Sequence, residues 1–166
     1  MNLPTHLLDD QSLPDRLYAH VMHYGGRPGA ISFELTEGTT TLAISDFYAG
    51  ACRLRMKGFG LAQDDSGQGY SSLFKIASTP FTEIKVDRSL ISRCAAEDGA
   101  RAAVESIIFL GRKLGLNVVA EGVETQEQLA ILKGLRCNSV QGFLISHALT
   151  EELFCCFLKK QNVVVR

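Results

Sequence analysis

A short pattern recurs along this chain and limits it to few architectures: a handful of residues alternating between apolar and polar, closed by an ionisable or amide side chain. Ile31, Phe33 and Leu35 alternate with Ser32 and Glu34, the period of two that turns one side of a strand toward a core. The form returns at Gly60 to Asp64, at Glu83 to Asp87, at Asn117 to Glu121 and, briefly, at Ser139 to Gln141. These five segments are predicted as short strands, and Met1 to Leu3 reads as the end of a sixth.

Helical periods fill the intervals. Val104, Ile107, Ile108, Gly111 and Leu114 fall on one helix face, and Gly115 is placed to stop that helix before the next strand. Thr125 followed by Gln128 predicts a capping box, while Ser12-Leu13-Pro14-Asp15 and Thr150-Glu151-Glu152 are further helix starts. Strands alternating with helices across short turns imply right-handed βαβ units and a parallel sheet. An open doubly wound sheet and a (β/α) barrel both satisfy that pattern. Barrels carry their chemistry at the C-terminal ends of several strands, as nearly every strand does here, so a (β/α)8 TIM-type barrel is the expected fold. Such a barrel needs about 250 residues and eight strands, and these 166 residues supply five to six.

With 46% apolar and 21% charged residues the chain can form one domain with a core. Its 17 basic and 18 acidic residues, a net charge of −1, give no reason to expect nucleic acid or an anionic membrane surface as partner. No signal peptide or membrane-spanning run is legible, which predicts a cytoplasmic protein. The five cysteines, Cys52, Cys94, Cys137, Cys155 and Cys156, lack C-x-x-C spacing and read as buried thiols of a reducing compartment. His6, His20, His23 and His147 share no metal-like spacing.

Glu34, Asp64, Asp65, Lys85, Glu121 and Gln141 stand at or near strand C-termini, where a barrel would gather them on one rim. Carboxylates with an amide and no His or Cys are hard oxygen donors, suited to Mg2+ or Mn2+ rather than zinc. Two such ions can activate a water and stabilise the leaving oxygen of a phosphodiester. Each piece has a structural reading as well: Asp64-Asp65-Ser66-Gly67 is a good turn, and Lys85 and Asp87 could be a plain ion pair.

The ordered set E-L-T-E (Glu34 to Glu37), D-D-S-G-Q-G-Y-S-S-L (Asp64 to Leu73), K-V-D (Lys85 to Asp87), A-E-G-V-E-T (Ala120 to Thr125) and Q-G-F (Gln141 to Phe143) resembles the EAL domain family. The resemblance runs from Asn2 to about Leu158, making residues 1–158 a partial domain and 159–166 a C-terminal tail. It implies a barrel that hydrolyses cyclic-di-GMP to linear pGpG with two Mg2+ or Mn2+ ions. By the same resemblance Asn2, Glu34, Asp64 and Asp65 look like metal ligands, and Lys85 like the catalytic lysine that positions and activates water. Glu121 and Gln141 are similar to residues holding metal-bound water, and Glu37 and Glu124 to groups bracing the active-site loop. The partner implied is cyclic-di-GMP, and the sheet edges left unpaired by missing strands predict a homo-oligomer, or an attached sensory or regulatory domain.

Departures accompany the resemblance. The family's first two strands, including the Glu-Ala-Leu strand with its metal-ligand glutamate and phosphate-binding arginine, would lie before Met1. Ser66 and Gln68 replace the family's usual Phe and Thr or Ala, and Ser146-His147-Ala148 lacks a proline. The sequence therefore predicts a phosphodiesterase-type domain with weak or no turnover from these residues alone. The alternative is a degenerate module that binds a protein or cyclic-di-GMP.

Overall fold

The computed structural model describes residues 1–35, 44–66 and 76–160. Six strands, β1 (Asn2–Leu3), β2 (Ser32–Leu35), β3 (Gly60–Ser66), β4 (Glu83–Val86), β5 (Asn117–Ala120) and β6 (Ser139–Val140), form one sheet. Every neighbouring pair is parallel, and the spatial order is the chain order. A doubly wound sheet reverses its strand order at a switch point. This sheet never does, as expected for the wall of a barrel.

Helices return the chain between strands: α1 (Leu13–His23), α2 (Ile44–Met56), α3 (Arg88–Arg93), α4 (Asp98–Leu114), α5 (Gln126–Gly134) and α6 (Glu151–Lys160). The expected helix signals act as local chemistry requires. Gly115 ends α4 in the left-handed region at φ 70°, and Thr125 with Gln128 makes both halves of the capping box of α5. The start of α1 differs: Ser12 occupies the cap position, but the accepting side chain is Asp10, whose Oδ1 takes the Ser12 amide at 2.9 Å. Two residues back, a carboxylate closes the turn more readily than the serine hydroxyl itself.

Strand parity separates two faces. Phe33, Leu35, Leu61, Ile84, Val86 and Val118 are buried on the side covered by helices. Two apolar clusters form there, one with Leu8, Phe47, Leu54 and Phe59, the other with Ile91, Val104, Ile108 and Leu132. Val104 and Ile108 lie one turn apart on α4, and burying each contributes about 2 kcal/mol. Gly111, on the same stripe, lets α4 approach β5: a Cβ there would stand 2.3 Å from Val118 Cγ2. The opposite face carries the polar strand residues, with the buried Ala62 and Val119 among them. The register Asn2–Glu34–Ala62–Glu83–Asn117 runs across five strands, and Asn117 Nδ2 donates to Glu83 Oε2 at 2.8 Å.

The cysteines correct the sequence reading. Cys94 is buried and Cys137 partly so, but Cys52, Cys155 and Cys156 are exposed. Composition does not reveal which face of a helix a cysteine occupies, and α6, which carries two of them, buries none of its residues.

Candidate active site on the strand rim

Glu34 is the third residue of β2, Asp64 the fifth of β3 and Lys85 the third of β4, while Glu121 follows β5 directly. Because the strands are parallel, these side chains meet at one end of the sheet. The Lys85 ammonium lies at their centre, with Glu121 Oε1 at 2.6 Å, Glu34 Oε1 at 3.1 Å and Asp64 Oδ1 at 3.6 Å. Its side chain is 8% exposed, against 14–27% for the three carboxylates.

Burial alone would push the Lys85 pKa down. Hydrogen bonds to Glu121 and Glu34, with Coulomb attraction from Glu121 and Asp64, outweigh that and hold it above the ordinary lysine value. The surrounding carboxylates thus favour the ammonium form of Lys85. Asp87, one residue beyond β4, caps α3 by accepting the Ser89 amide at 2.8 Å, while the ion pairs of Lys85 among the described residues are with Glu34, Asp64 and Glu121.

The remaining sequence candidates are placed differently. Asn2 is exposed on β1 and faces Glu34 in the register. Gln141 continues β6, its backbone bonded to Ala120 and Val123, with an exposed side chain beside the end of β5. Asp65 belongs to β3, but its side chain and that of Ser66 lie outside the described residues, as do Glu37 and Gln68. Glu124 is bound by Arg88, with Nη2 to Oε1 at 2.6 Å.

Arg88 was not singled out by the sequence. It follows Lys85 by three residues, as Glu124 follows Glu121, so two ion pairs link the β4–α3 and β5–α5 turns like successive rungs. Its stem lies over Gly122, which has φ +67° and would bring a Cβ to 2.3 Å from Arg88 Cγ. The turn is fixed from two further sides: Gln128 Oε1 accepts from the Glu124 and Thr125 amides, and the Val123 amide donates to Gln141 O.

Among the described residues no group of three or more His, Cys, Asp or Glu side chains is set at metal-ligand spacing. The Lys85 ammonium occupies the middle of the carboxylates. Three carboxylates around the Lys85 ammonium, with the Met1 ammonium 3.9 Å from Glu34, nevertheless leave negative charge in excess at a partly buried rim among the described residues, and each carboxylate is a hard oxygen donor. That balance fits a divalent cation of the Mg2+, Mn2+ or Ca2+ type.

The family profile described as EAL domain matches residues 1–148. The cyclic di-GMP phosphodiesterase RocR of Pseudomonas aeruginosa is 34% identical over 147 residues, which are 89% of this chain and 38% of RocR. Among solved structures, the MucR phosphodiesterase of Pseudomonas aeruginosa in complex with cyclic-di-GMP superposes with a TM-score of 0.82 at 35% identity. That match covers 92% of this chain and 62% of the other. BlrP1 of Klebsiella pneumoniae, in complex with manganese and cyclic-di-GMP, gives 0.74 at 34% identity, over 80% of this chain and 34% of its own. This chain thus spans less than two thirds of each of these relatives, from 34% to 62% of their length. With the profile spanning nearly all of its length and the same parallel barrel wall beneath the matching motifs, the chain belongs to the EAL domain family.

Proposed function

We propose that residues 1–158 form part of a cyclic-di-GMP phosphodiesterase barrel whose reaction product is linear pGpG. The observation that carries this reading is the Lys85 cluster, an ammonium held by carboxylates from three strands with negative charge in excess. RocR is a cyclic-di-GMP phosphodiesterase, and MucR and BlrP1 are each known in complex with the dinucleotide.

Glu34 and Asp64, with Asn2 and Asp65, would hold two divalent ions, Mg2+ or Mn2+. When bound, the ions supply Lewis acidity that lowers the pKa of the attacking water and offsets charge on the leaving oxygen. The chain's own residues orient and neutralise. Lys85, in its ammonium form, donates hydrogen bonds to the water or to a phosphate oxygen. Glu121 restrains Lys85 and accepts from the water, and Gln141 adds an amide beside it. Arg88, Glu124 and Gln128 keep the turn that carries Glu121 in place.

Turnover by these 166 residues alone is expected to be weak, because a phosphodiesterase site of this family also uses a glutamate and an arginine of the Glu-Ala-Leu strand. Loss of one well-placed electrostatic group costs about 100- to 1000-fold in rate. The working protein is proposed to be cytoplasmic and to carry sensory or regulatory domains. The 166-residue chain by itself is also proposed to self-associate. Strands β1 and β6 are open edges here, and exposed Phe143, Ile145, Leu153 and Phe154 lie near the second. Light scattering should detect dimers or larger species of the chain; a monomer across a wide concentration range would refute that part.

The test of the reaction is pGpG release with Mg2+ or Mn2+ by the chain as given, by an N-terminally extended chain and by the extended Lys85→Ala variant. Activity that appears on extension and vanishes with Lys85 supports the reading. A folded extended chain that binds cyclic-di-GMP without cleaving it supports the degenerate binding module instead.

A further inference from the structure

Gln63 stands on the helix-facing side of β3, where its ladder partners are Leu35 and Ile84. All three are buried, Gln63 to 1% exposure. Its Nε2 donates to the Asp64 carbonyl oxygen at 3.1 Å, while Oε1 has no hydrogen-bond partner among the described residues. A buried unpaired acceptor costs about 1–3 kcal/mol, which an apolar residue of the same size would avoid. The backbone gives a reason for the amide. Between the Gln63–Ile84 and Ser66–Val86 pairs, β3 carries one residue more than β4. A bulge of this kind leaves backbone groups without ladder partners and re-aims the side chains around it. Asp64 sits in that irregularity, and among the described residues no ladder pair is formed by it. Within that irregular stretch the Gln63 amide donates to the carbonyl of the residue whose carboxylate lies 3.6 Å from Lys85.

We infer that Gln63 is a positioning residue: it holds the β3 bulge by donating to the Asp64 carbonyl and so sets the Asp64 carboxylate in the cation site. The inference rests on the functional reading above. A residue that merely filled the outer layer would affect stability and leave the site alone, and the two roles separate in one set of measurements.

Gln63→Met nearly preserves shape and removes the amide; Gln63→Leu is the second variant should methionine pack poorly. Each is melted without metal, its amide exchange is followed at residues 64–66, and its Mn2+ affinity is measured by calorimetry beside wild type. The expected result is a melting temperature equal to or above wild type, faster exchange at 64–66, and Mn2+ affinity about 10-fold lower, the scale for losing a group that supports a metal ligand. Wild-type Mn2+ affinity and wild-type exchange in a folded variant would overturn the inference alone, as would an affinity loss seen only together with a lowered melting temperature. Failure of both wild-type forms, the chain as given and the N-terminally extended one, to bind Mn2+ would overturn the functional reading and the inference with it.

Discussion

Replacing Lys85 by methionine removes the ammonium that contacts all three carboxylates of the rim. Its Nζ lies 2.6, 3.1 and 3.6 Å from the oxygens of Glu121, Glu34 and Asp64. At an effective dielectric constant of about 20, attraction at such distances is about 5–6 kcal/mol per contact. Desolvation of the ammonium and mutual repulsion of the carboxylates offset most of that gross figure. Breaking a buried ion pair by deleting one partner costs about 3–5 kcal/mol net. The carboxylates here are 14–27% exposed, so water recovers part of the loss. The lower end, about 3 kcal/mol, is expected, or a fall in Tm of about 6–12 °C for a domain of this length. Because the folded-state pKa of Lys85 is raised, its contribution is complete below the unfolded value of about 10.4 and fades only as pH climbs through the folded one. The wild-type minus variant difference should accordingly be flat between about pH 6 and 9 as far as this lysine is concerned. Urea denaturation of both proteins without divalent ions measures it. Added Mn2+ should then stabilise Lys85→Met more than wild type, since ion and ammonium answer the same oxygens. A metal-free variant as stable as wild type would refute the reasoning, because the carboxylates would then not depend on the lysine.

Three further outcomes follow from the same geometry. Gly122→Ala forces a Cβ onto the Arg88 stem at φ +67° and should cost about 1–3 kcal/mol in thermal melts. Adding Arg88→Ala removes the Cγ and Cδ contacts and should return part of that loss, although its Cβ remains at 2.8 Å; no recovery would argue against the stem as its cause. Thiol labelling followed by mass spectrometry should modify Cys52, Cys155 and Cys156 quickly, with Cys94 and Cys137 slow because burial raises both their pKa values; five equal rates would contradict this. Thr125→Ala should cost about 1 kcal/mol through the cap of α5, and Gln128→Ala more, since Gln128 Oε1 accepts from two amides. Equal melting temperatures for the two variants would argue against that difference.

Much of this protein is written in local sequence. Alternation at Ile31–Leu35, the stripe Val104–Ile108–Gly111, the left-handed stop at Gly115 and the Thr125 box each need only a few neighbouring residues, and backbone sterics with side-chain reach decide them before any tertiary contact forms. The motif residues were equally visible, since a strand end is a place any reader of the period can find. What local pattern does not contain is which strand ends become neighbours. That Lys85 is held by Glu34, Asp64 and Glu121 follows from the unbroken order β1 to β6, a property of the whole sheet. The extra residue in β3, the unpaired amide oxygen of Gln63 and the Arg88–Glu124 rung arise because two segments 20 or more residues apart must pack with one register. The exposed cysteines of α6 have the same origin: a helix period tells which residues share a face, and only the packed structure decides whether that face meets another surface.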